Sequence, residues 1–543
     1  MSFVQEAPYL AHPYRSDRLL RPWLARLLPG DRFDAIEPDL DALADYAAMA
    51  YERRQRTPTR EPILTQWDAW GHRVDRIALT QAWEEGAAIT TKHSVLAAGH
   101  EAHEYARVEQ FARVYLYHVA SEFYTCPLAM TDGAATAIKA SGNRALMDRA
   151  LPHFLATDVS RFWLSGQWMT ETHGGSDVGN TETVARRDES GQWRLYGRKW
   201  FSSAVVGEAA MALARPEGAG DGTGALGLFF VETKDAKGRW QGLSIDRLKQ
   251  KLGTRELPTA EIHLDGLPAT PVGALEHGVR QIAPMLNVTR TWNAVCAVAS
   301  MSRALALARD YAGRRQAFGR RLVDQPLHRH TLAGMQVEFD AAFALTFRIA
   351  ELLGKSEHGT ASPDELILLR VLTPATKLWT AKLAVKIISE ALECFGGAGY
   401  IEDTGLPQLL RDAQVYPIWE GTTNVLALDV QRALRSVDFG GLRRALEGQC
   451  TGNHPLSAVR SALDHVAAML ERSGQGDRRE VSARAVAITL ARTAAAGAMA
   501  RRLAGAENQG HAYTTLVLDR FLAHGLERSA SGHPDEDAIL VQG

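Results

Sequence analysis

Two short segments, about 240 residues apart, carry the residue types that could do chemistry. The first, residues 169–178 with the sequence MTETHGGSDV, combines glycines with hydroxyl side chains, and its amides and hydroxyls could hydrogen-bond an extended polar cofactor. The second places Glu420 next to Trp419 and near Tyr416, and a carboxylate in apolar surroundings is a usable base. Glu420 also comes just before a helical run, so an ordinary carboxylate stabilised by the helix dipole is the alternative.

Hydrophobic periodicity predicts how the chain is organised around these segments. The apolar spacing is helical from about 36 to 155, whereas alternating or continuous apolar runs between 159 and 276 predict strands. Helical periods then return over four segments: 278–314, 327–353, 363–395 and 420–436. We therefore expect an α+β protein with four domains: an arm and helical domain 1–158, a β domain 159–276, a helical domain 277–438 and a helical extension 439–543.

Composition excludes several classes of function. The formal net charge of −2 gives no global attraction to nucleic acid or anionic membranes. The four cysteines are scattered and the histidines lack metal-ligand spacing, which indicates reduced thiols and no metal site. The first residues lack the features of a signal peptide, and no run of about 18 apolar residues occurs. We expect a cytoplasmic protein without a membrane span.

Four further segments join the two opening ones in a recognisable order. They are 197–203 (GRKWFSS), 251–255 (KLGTR), 315–319 (RQAFG) and 393–400 (ECFGGAGY). Together the six segments resemble the acyl-CoA dehydrogenase flavoenzymes over about 160–436. The resemblance implies FAD as the cofactor, a β-barrel-like central domain, a four-helix-type domain after it, and a homotetramer.

The resemblance also implies roles for individual residues. Glu420 would be the catalytic base, and Thr172 and Arg290 would contact an acyl-CoA substrate, with an electron-transfer flavoprotein as acceptor. The family commonly has Asp three residues before this arginine, but Asn287 stands here, which removes a charge from the thioester-binding region. The implied cofactor residues are Met169, Thr170, Gly174, Gly175, Ser176, Val178, Trp200, Phe201, Ser202, Arg315, Phe318, Gly396, Gly397, Trp419, Thr422 and Asn424.

Several of these residues have plainer interpretations. The glycine-rich segment could be a turn without a ligand, and Trp200 could be a buried strand aromatic. Arg315 could be a solvated cation at a helix end rather than a contact with the FAD of a neighbouring subunit. A flavin monooxygenase-like branch of the fold is a further alternative, but those proteins lack the placed glutamate.

The extension and the N-terminal arm narrow the resemblance to the AidB-type alkylation-response flavoproteins. That branch implies weak isovaleryl-CoA or short branched acyl-CoA dehydrogenase activity, double-stranded DNA binding and protection against alkylation damage. Residues 441–502 hold ten arginines and five acidic residues, and the candidate DNA contacts are Arg478, Arg479, Arg501 and Arg502. The alternatives are arginines that form intersubunit ion pairs, and an ordinary acyl-CoA dehydrogenase without a DNA role.

Overall fold

The computed structural model describes residues 6–57, 60–450, 453–474, 476–503, 508–530 and 534–542. In chain order the helices are α1 Leu20–Leu27, α2 Gly30–Arg56, α3 Gln81–Lys92, α4 Ala106–Tyr117, α5 Thr125–Ser141, α6 Arg144–Phe154, α7 Gly278–Gln281, α8 Ala283–Arg314, α9 Pro326–His358, α10 Pro363–Glu393, α11 Leu406–Ala413, α12 Thr423–Ser436, α13 Phe439–Glu447, α14 Asn453–Ser473, α15 Asp477–Leu503, α16 Asn508–Ala523 and α17 Pro534–Gln542. The strands are β1 Ile63–Trp67, β2 Arg73–Ala78, β3 Ser165–Trp168, β4 Val184–Arg187, β5 Trp193–Ser203, β6 Ala209–Pro216, β7 Gly227–Glu232, β8 Leu243–Leu248, β9 Thr259–Pro271, β10 Gln316–Ala317 and β11 Arg320–Arg321.

The chain folds into two compact units. The sheet unit comprises Thr57–Glu101 and Ala120–Trp292. The helical unit comprises Met1–Arg56, Ala102–Val119 and Asn293–Gly543. The first ten residues of α8 therefore belong to the sheet unit and the remainder to the helical unit.

A closed ring of strands forms the centre of the sheet unit. β6 pairs with β4, β4 with β5, β5 with β9, β9 with β7, and β7 again with β6. β3 and β8 extend the ring by pairing with β6 and β9. Side chains such as Trp168, Leu195, Phe229 and Ile262 fill the interior, because alternate residues of each strand point inward. The expectation of a β-barrel-like central domain is confirmed.

Long helices make up most of the helical unit. α9 and α10 pack against each other, and α10 also packs against α12, α13 and α15. α10 begins with a capping box, in which Ser362 and Glu365 satisfy each other's backbone amides, and Pro363 occupies its first turn. Because α10 is apolar around most of its circumference, it is buried by neighbours on several sides. The expected order of helical, β and helical regions with additional C-terminal helices is confirmed.

The predicted helical stretch 36–155 contains a β-hairpin, so that part of the prediction is wrong. β1 and β2 pair in an antiparallel manner around a turn in which Gly71 has a φ of +85°. Two side chains of the hairpin bind the backbone of β8: the side-chain amide of Gln66 donates to the carbonyl of Ile245 at 2.9 Å, and the carboxylate of Asp75 accepts from the amide of Ile245 at 3.0 Å. Both strands are short and largely exposed, so the periodic apolar signal that predicts a strand is absent.

Candidate active site

The first glycine-rich segment begins where β3 ends. Thr170 lies two residues after the strand, and its carbonyl accepts a hydrogen bond from the amide of Trp200 on β5 at 2.9 Å. Two segments that are 30 residues apart in the sequence are thereby joined through their backbones. Met169 is buried and Thr170 is half-buried. The sheet unit thus brings together the first and second candidate cofactor segments.

A buried ion pair links the same two segments through their side chains. Lys199 is 1% exposed, and its Nζ donates to Glu171 Oε1 at 2.6 Å and to the carbonyl of Leu213 at 2.9 Å. Glu171 also accepts from the hydroxyl of Thr183 at 2.6 Å and from the amide of Glu182 at 2.7 Å. Although burial opposes it, these donors hold the pKa of Glu171 below its ordinary value. The Lys199–Glu171 ion pair therefore holds the beginning of the glycine-rich segment in place.

The segment beyond Glu171 is an exposed turn. Glu171 and Gly174 exchange backbone hydrogen bonds at 3.3 and 3.0 Å, and Gly174 has a φ of +118°, which an L side chain rarely adopts. A Cβ added at Gly175 would lie 2.4 Å from Thr170 Oγ1, so this close approach requires glycine. Thr172 and Ser176 are exposed, and Val178 lies in the short 3-10 turn that follows.

The end of β5 presents a polar group that the described residues leave unsatisfied. Ser202 is 0% exposed, and its Oγ has no hydrogen-bond partner among the described residues. A buried hydroxyl without a partner is unfavourable, so this position fits a bound group that supplies an acceptor or donor. Trp200 is half-buried and Phe201 is 51% exposed, and Lys249 Nζ lies 3.4 Å from the ring centroid of Trp200. The turn, the aromatic surface and the hydroxyl fit a flat, polar cofactor such as a flavin.

Glu420 has a left-handed backbone conformation in the turn that precedes α12 in the helical unit. Its φ is +57° and that of Gly421 is +101°, immediately before α12. The buried ammonium of Lys377 on α10 donates to the carbonyl of Trp419 at 2.6 Å and to that of Gly421 at 2.7 Å. Lys377 thus holds the carbonyls on both sides of Glu420, because charge-assisted hydrogen bonds are stronger than neutral ones. This clamp stabilises a conformation that costs a non-glycine residue about 1–2 kcal/mol.

A buried hydrogen-bond chain holds the segment that leads to Glu420. The hydroxyl of Tyr416 lies 2.6 Å from His118 Nε2 and 2.7 Å from Ser300 Oγ. The side-chain amide of Asn293 donates to the carbonyl of Tyr416 at 3.4 Å. Burial, reinforced by the nearby Arg303, lowers the pKa of His118 to about 3, so this imidazole is neutral. The network positions the backbone four residues before the candidate base.

The two remaining cofactor segments of the helical unit are exposed. Phe318 lies at the turn of the β10–β11 hairpin, with a φ of +52° and an exposed fraction of 98%. Arg315, at the start of this hairpin, is half-buried. Gly396 and Gly397 are exposed in a 3-10 turn after α10, and Gly396 has a φ of +60°.

The candidate residues fall in both units. The sheet unit contains Met169, Thr170, Thr172, Gly174, Gly175, Ser176, Val178, Trp200, Phe201, Ser202 and Arg290. The helical unit contains Arg315, Phe318, Gly396, Gly397, Trp419, Glu420, Thr422 and Asn424. Arg290 is half-buried on α8, and Asn287, one turn earlier, is exposed.

Sequence reasoning missed two buried lysines, Lys199 in the sheet unit and Lys377 in the helical unit, that hold the candidate segments of their own units. Lys199 lies inside a strand, and Lys377 lies inside a helix that is apolar around most of its circumference. A lysine at such a position is a signal for a buried, paired ammonium, because an unpaired one is rarely buried.

The four candidate DNA-binding residues lie at opposite ends of α15: Arg478, Arg479, Arg501 and Arg502. The two ends are about 35 Å apart at 1.5 Å per residue. Arg501 donates to Glu351 Oε1 at 2.9 Å, and Arg502 lies over the ring of Phe343 at 5.7 Å. Burial lowers the pKa of Arg502. The structure brings these arginines together only in pairs.

Other arginines of the extension join helices within the chain. Arg492 donates to both oxygens of Glu338 at 2.7 and 3.1 Å and lies over the ring of Phe521 at 4.3 Å. Arg443 on α13 donates to Asp464 on α14 at 2.7 Å. Both partners of these ion pairs lie in the same chain, whereas the alternative drawn from the sequence placed such pairs between subunits.

Comparison with known proteins identifies the family. Residues 8–159 match the N-terminal domain of the adaptive response protein AidB. Residues 166–267 match the acyl-CoA dehydrogenase middle domain, and residues 276–435 match the acyl-CoA dehydrogenase C-terminal domain.

Similar proteins span most of the chain. Acyl-CoA dehydrogenase family member 11 of Caenorhabditis elegans is 41% identical over 517 residues, which cover 90% of this chain and 84% of that protein. The AidB protein of Escherichia coli is 34% identical over 383 residues, which cover 69% of each chain.

Solved structures give the same result. The crystal structure of Caenorhabditis elegans ACDH-11 in complex with C11-CoA has a TM-score of 0.91 and 37% identity, covering 97% of this chain and 94% of that chain. The structure described as the Bd2924 apo-form has a TM-score of 0.85 and 42% identity, covering 92% and 99%. The chain therefore belongs to the acyl-CoA dehydrogenase family and carries the N-terminal domain of its AidB-type members. Its class is that of an FAD-dependent acyl-CoA dehydrogenase-type oxidoreductase.

None of the helices in the described ranges combines the length and the hydropathy that crossing a bilayer requires.

Proposed function

We propose that this protein desaturates an acyl-CoA thioester between its α and β carbons, with Glu420 as the base that removes the α-proton. When bound, FAD accepts the hydride from the β-carbon. The local geometry of Glu420 supports the proposal: its backbone is left-handed, and Lys377 holds the carbonyls on both sides of it. Such preorganisation keeps a base in place for proton transfer without reorganisation during the reaction.

The other candidate residues have binding roles in this proposal. Thr170, Ser202 and Trp200 hold the flavin ring in the sheet unit, and the amides around Gly174 and Gly175 contact its polar chain. Thr172 and Arg290 contact the thioester. The remaining cofactor positions of the prediction serve FAD as well: Met169, Ser176, Val178, Phe201, Gly396, Gly397, Trp419, Thr422 and Asn424.

Assembly as a homotetramer belongs to the same proposal. Phe318 is 98% exposed at the tip of its hairpin, which leaves it accessible to a neighbouring subunit in the proposed assembly. Arg315 at the base of the hairpin would then reach the FAD of that neighbour. Sedimentation analysis of the full chain tests the assembly, and a monomer that binds FAD fully would contradict it.

The acyl group is the least constrained part of the proposal. The relative ACDH-11 was crystallised with C11-CoA, so an undecanoyl thioester is the first compound to test. Isovaleryl-CoA and short branched thioesters, which the resemblance to AidB-type proteins implies, are the second group to test. An electron-transfer flavoprotein is the proposed acceptor.

Anaerobic flavin bleaching by a panel of these thioesters tests the function. We expect Glu420→Gln to retain FAD but to lower the bleaching rate by about 10²–10⁴-fold, the usual contribution of a general base. Glu390→Gln is the matched control, because Glu390 is an exposed carboxylate on α10. Equal rates in Glu420→Gln and the wild type would exclude Glu420 as the base.

Binding of duplex DNA with protection against alkylation damage is a second proposal. It rests on the AidB-type domain and on exposed arginines near the start of α15, namely Arg472, Arg478 and Arg484. If phosphate contacts dominate, the affinity should fall steeply with salt and depend little on sequence. Arg484 donates to Asn424, a proposed FAD residue, so it is left unchanged in the test. Replacing Arg472 and Arg478 by glutamine should weaken DNA binding and leave the flavin spectrum unchanged. The same loss with Arg501→Gln, at the opposite end of α15, would contradict a localised surface.

A further inference from the structure

Lys139, His100 and Asp132 form a hydrogen-bonded triad in the sheet unit that the proposed function does not use. His100 Nε2 lies 2.8 Å from Asp132 Oδ1, and Lys139 Nζ lies 2.8 Å from His100 Nδ1. The indole N–H of Trp292 donates to the other carboxylate oxygen of Asp132 at 2.7 Å. All four residues belong to the sheet unit, so the triad lies within one compact body.

Two local features place the triad side chains in line. Asp132 and Lys139 are seven residues apart on α5, which is about two turns, so they lie on the same face about 10 Å apart along the axis. His100 ends the short 3-10 turn Ala97–His100, and its imidazole bridges that gap. The side chain of Asp132 is 0% exposed and that of His100 is 5% exposed, whereas Lys139 is exposed. Solvent and reactants therefore reach the triad at its amine end.

The hydrogen bonds determine which atom of the triad can accept a proton. A lysine ammonium has donors and no acceptor, so Lys139 donates to His100 Nδ1. His100 then carries its own proton on Nε2 and donates it to the carboxylate of Asp132. The buried carboxylate keeps the imidazole in this tautomer and stabilises the imidazolium that forms when His100 takes a proton from Lys139. A nucleophile, a base and a group that orients the base are the arrangement that activates a weak nucleophile.

One local effect opposes the reactivity of this amine. Lys139 lies in the last turn of α5, where the helix dipole stabilises the ammonium by about 0.3–1 kcal/mol. This stabilisation lowers the amount of free amine by less than about tenfold. A positioned general base accelerates a reaction by about 10²–10⁴-fold, so the effect of His100 outweighs that of the helix end.

We propose that Lys139 is a site of covalent acylation by acyl-CoA thioesters, with His100 as the base. The ammonium first releases one proton to solvent. The amine nitrogen then attacks the thioester carbonyl carbon, and His100 accepts the second proton that the nitrogen loses. The carbon–sulfur bond breaks, coenzyme A leaves as a thiolate that takes up this second proton, and an amide remains on Lys139. The products are thus acyl-lysine, free coenzyme A and one proton.

Acetyl-CoA separates this reaction from the proposed desaturation. Its acyl group has no β-carbon, so it has no hydride to pass to a flavin. Acetylation of Lys139 therefore tests the triad whether or not the protein desaturates longer thioesters.

Mass spectrometry of the full chain with bound FAD, incubated with acetyl-CoA, measures the rate at individual lysines. After denaturation, deuterated acetic anhydride labels the lysines that have not reacted, and trypsin then cleaves at arginine alone. Lys139 is the single lysine of the resulting peptide 114–144, and Lys92 is the single lysine of the peptide 77–107. Lys92 is the matched control, because it is exposed in the last turn of α3 and, in the described ranges, has no hydrogen bond to an imidazole.

We expect Lys139 to be acetylated at least about tenfold faster than Lys92, because the helix-end effect is common to both lysines and the base is not. His100→Gln should lower the rate at Lys139 to about that at Lys92, since the glutamine amide still donates to Asp132 but takes up no proton. Equal rates at the two lysines in the wild type, or an undiminished rate at Lys139 in His100→Gln, would overturn the proposal.

Asp132→Asn gives a second test that keeps the imidazole. The asparagine amide donates an N–H toward His100 Nε2, which moves the imidazole proton to Nδ1 and blocks the nitrogen that faces Lys139. The rate at Lys139 should again fall to about that at Lys92. A wild-type rate at Lys139 in this variant, with the flavin spectrum of the wild type retained, would contradict the role of the triad.

Discussion

Replacing Lys377 by methionine should show how much of the rate depends on the position of Glu420, because the glutamate is kept while the group that holds its backbone is removed. The Nζ atom of Lys377 donates to the carbonyls of Trp419 and Gly421, one on each side of Glu420. Each hydrogen bond from a charged donor contributes about 1.5–3 kcal/mol. Two of them therefore contribute about 3–6 kcal/mol, a net figure that already includes the exchange of hydrogen bonds with water. Methionine keeps most of the volume and loses both donors.

The loss should appear in the chemical step. Without the clamp, Glu420 can leave its left-handed conformation, since φ of +57° is unfavourable for a side chain with a Cβ. A misplacement of about 1 Å at a reacting group costs on the order of 10²-fold in rate. We therefore expect Lys377→Met to lower the rate of flavin reduction by about 10–100-fold, while the dissociation constants of FAD and of the thioester change little.

Single-turnover stopped-flow reduction of the bound flavin by undecanoyl-CoA measures this rate. Lys382→Met is the matched control, because Lys382 is exposed on the same helix five residues later. Lys377→Arg tests whether a longer cation restores part of the rate. Lys377 does not position the base if Lys377→Met reduces flavin at the wild-type rate and its free energy of unfolding is less than about 1 kcal/mol below that of the wild type.

Three further predictions follow from buried polar groups. Ser202→Ala should stabilise the flavin-free protein by about 1 kcal/mol, because it removes an unsatisfied hydroxyl, yet weaken FAD binding about fivefold in a fluorescence titration; tighter FAD binding would contradict its role. Glu171→Gln should lower the free energy of unfolding by about 3–5 kcal/mol at pH 7. Since the folded-state pKa of Glu171 lies below its ordinary 4.5, the wild type should lose this advantage as the pH falls below 4.5. A difference in the free energy of unfolding between wild type and variant that stays constant down to pH 3 would refute this. Burial raises the pKa of Asp340 from 3.8 to about 6, so the folded state loses stability as the pH rises from 3.8 to 6. Asp340→Asn should therefore raise the Tm at pH 7 by an amount equivalent to about 3 kcal/mol and have no effect below pH 3.8. A lower Tm of the variant at pH 7 would show that the folded protein stabilises the charged form instead.

Local patterns in the sequence were sufficient to predict much of the fold. The continuous apolar run near 226–231 became β7 because both faces of that strand are buried in the ring. The helix predicted at 420–436 begins at Thr423, which leaves Glu420 in the preceding turn. The hairpin of β1 and β2 escaped prediction because side-chain and backbone contacts with β8, about 180 residues later, stabilise it rather than its own apolar pattern.

The organisation of the site depends on contacts that no local pattern encodes. Lys199 and Glu171 are 28 residues apart, and His118 and Tyr416 are 298 residues apart. In the sequence, each of these four residues is an ordinary charged or aromatic residue with no sign of its partner. Their pairing arises only when the strands and helices pack, so the residue types of the candidate site could be predicted while their supports could not.

The C-terminal extension has a consequence for how the protein unfolds. α15 packs against α9, α10, α12 and α14, and much of its alanine-rich surface is buried. Arg484 on α15 also donates to Asn424 on α12, the helix that begins just after Glu420. The extension is therefore a layer of the helical unit's core rather than an appendage, and residues 293–503 should melt in one cooperative transition that includes the base. A chain that ends near Asp438 would expose the apolar faces of α9 and α10 to water, so it would report on a damaged core and not on a protein that merely lacks one activity.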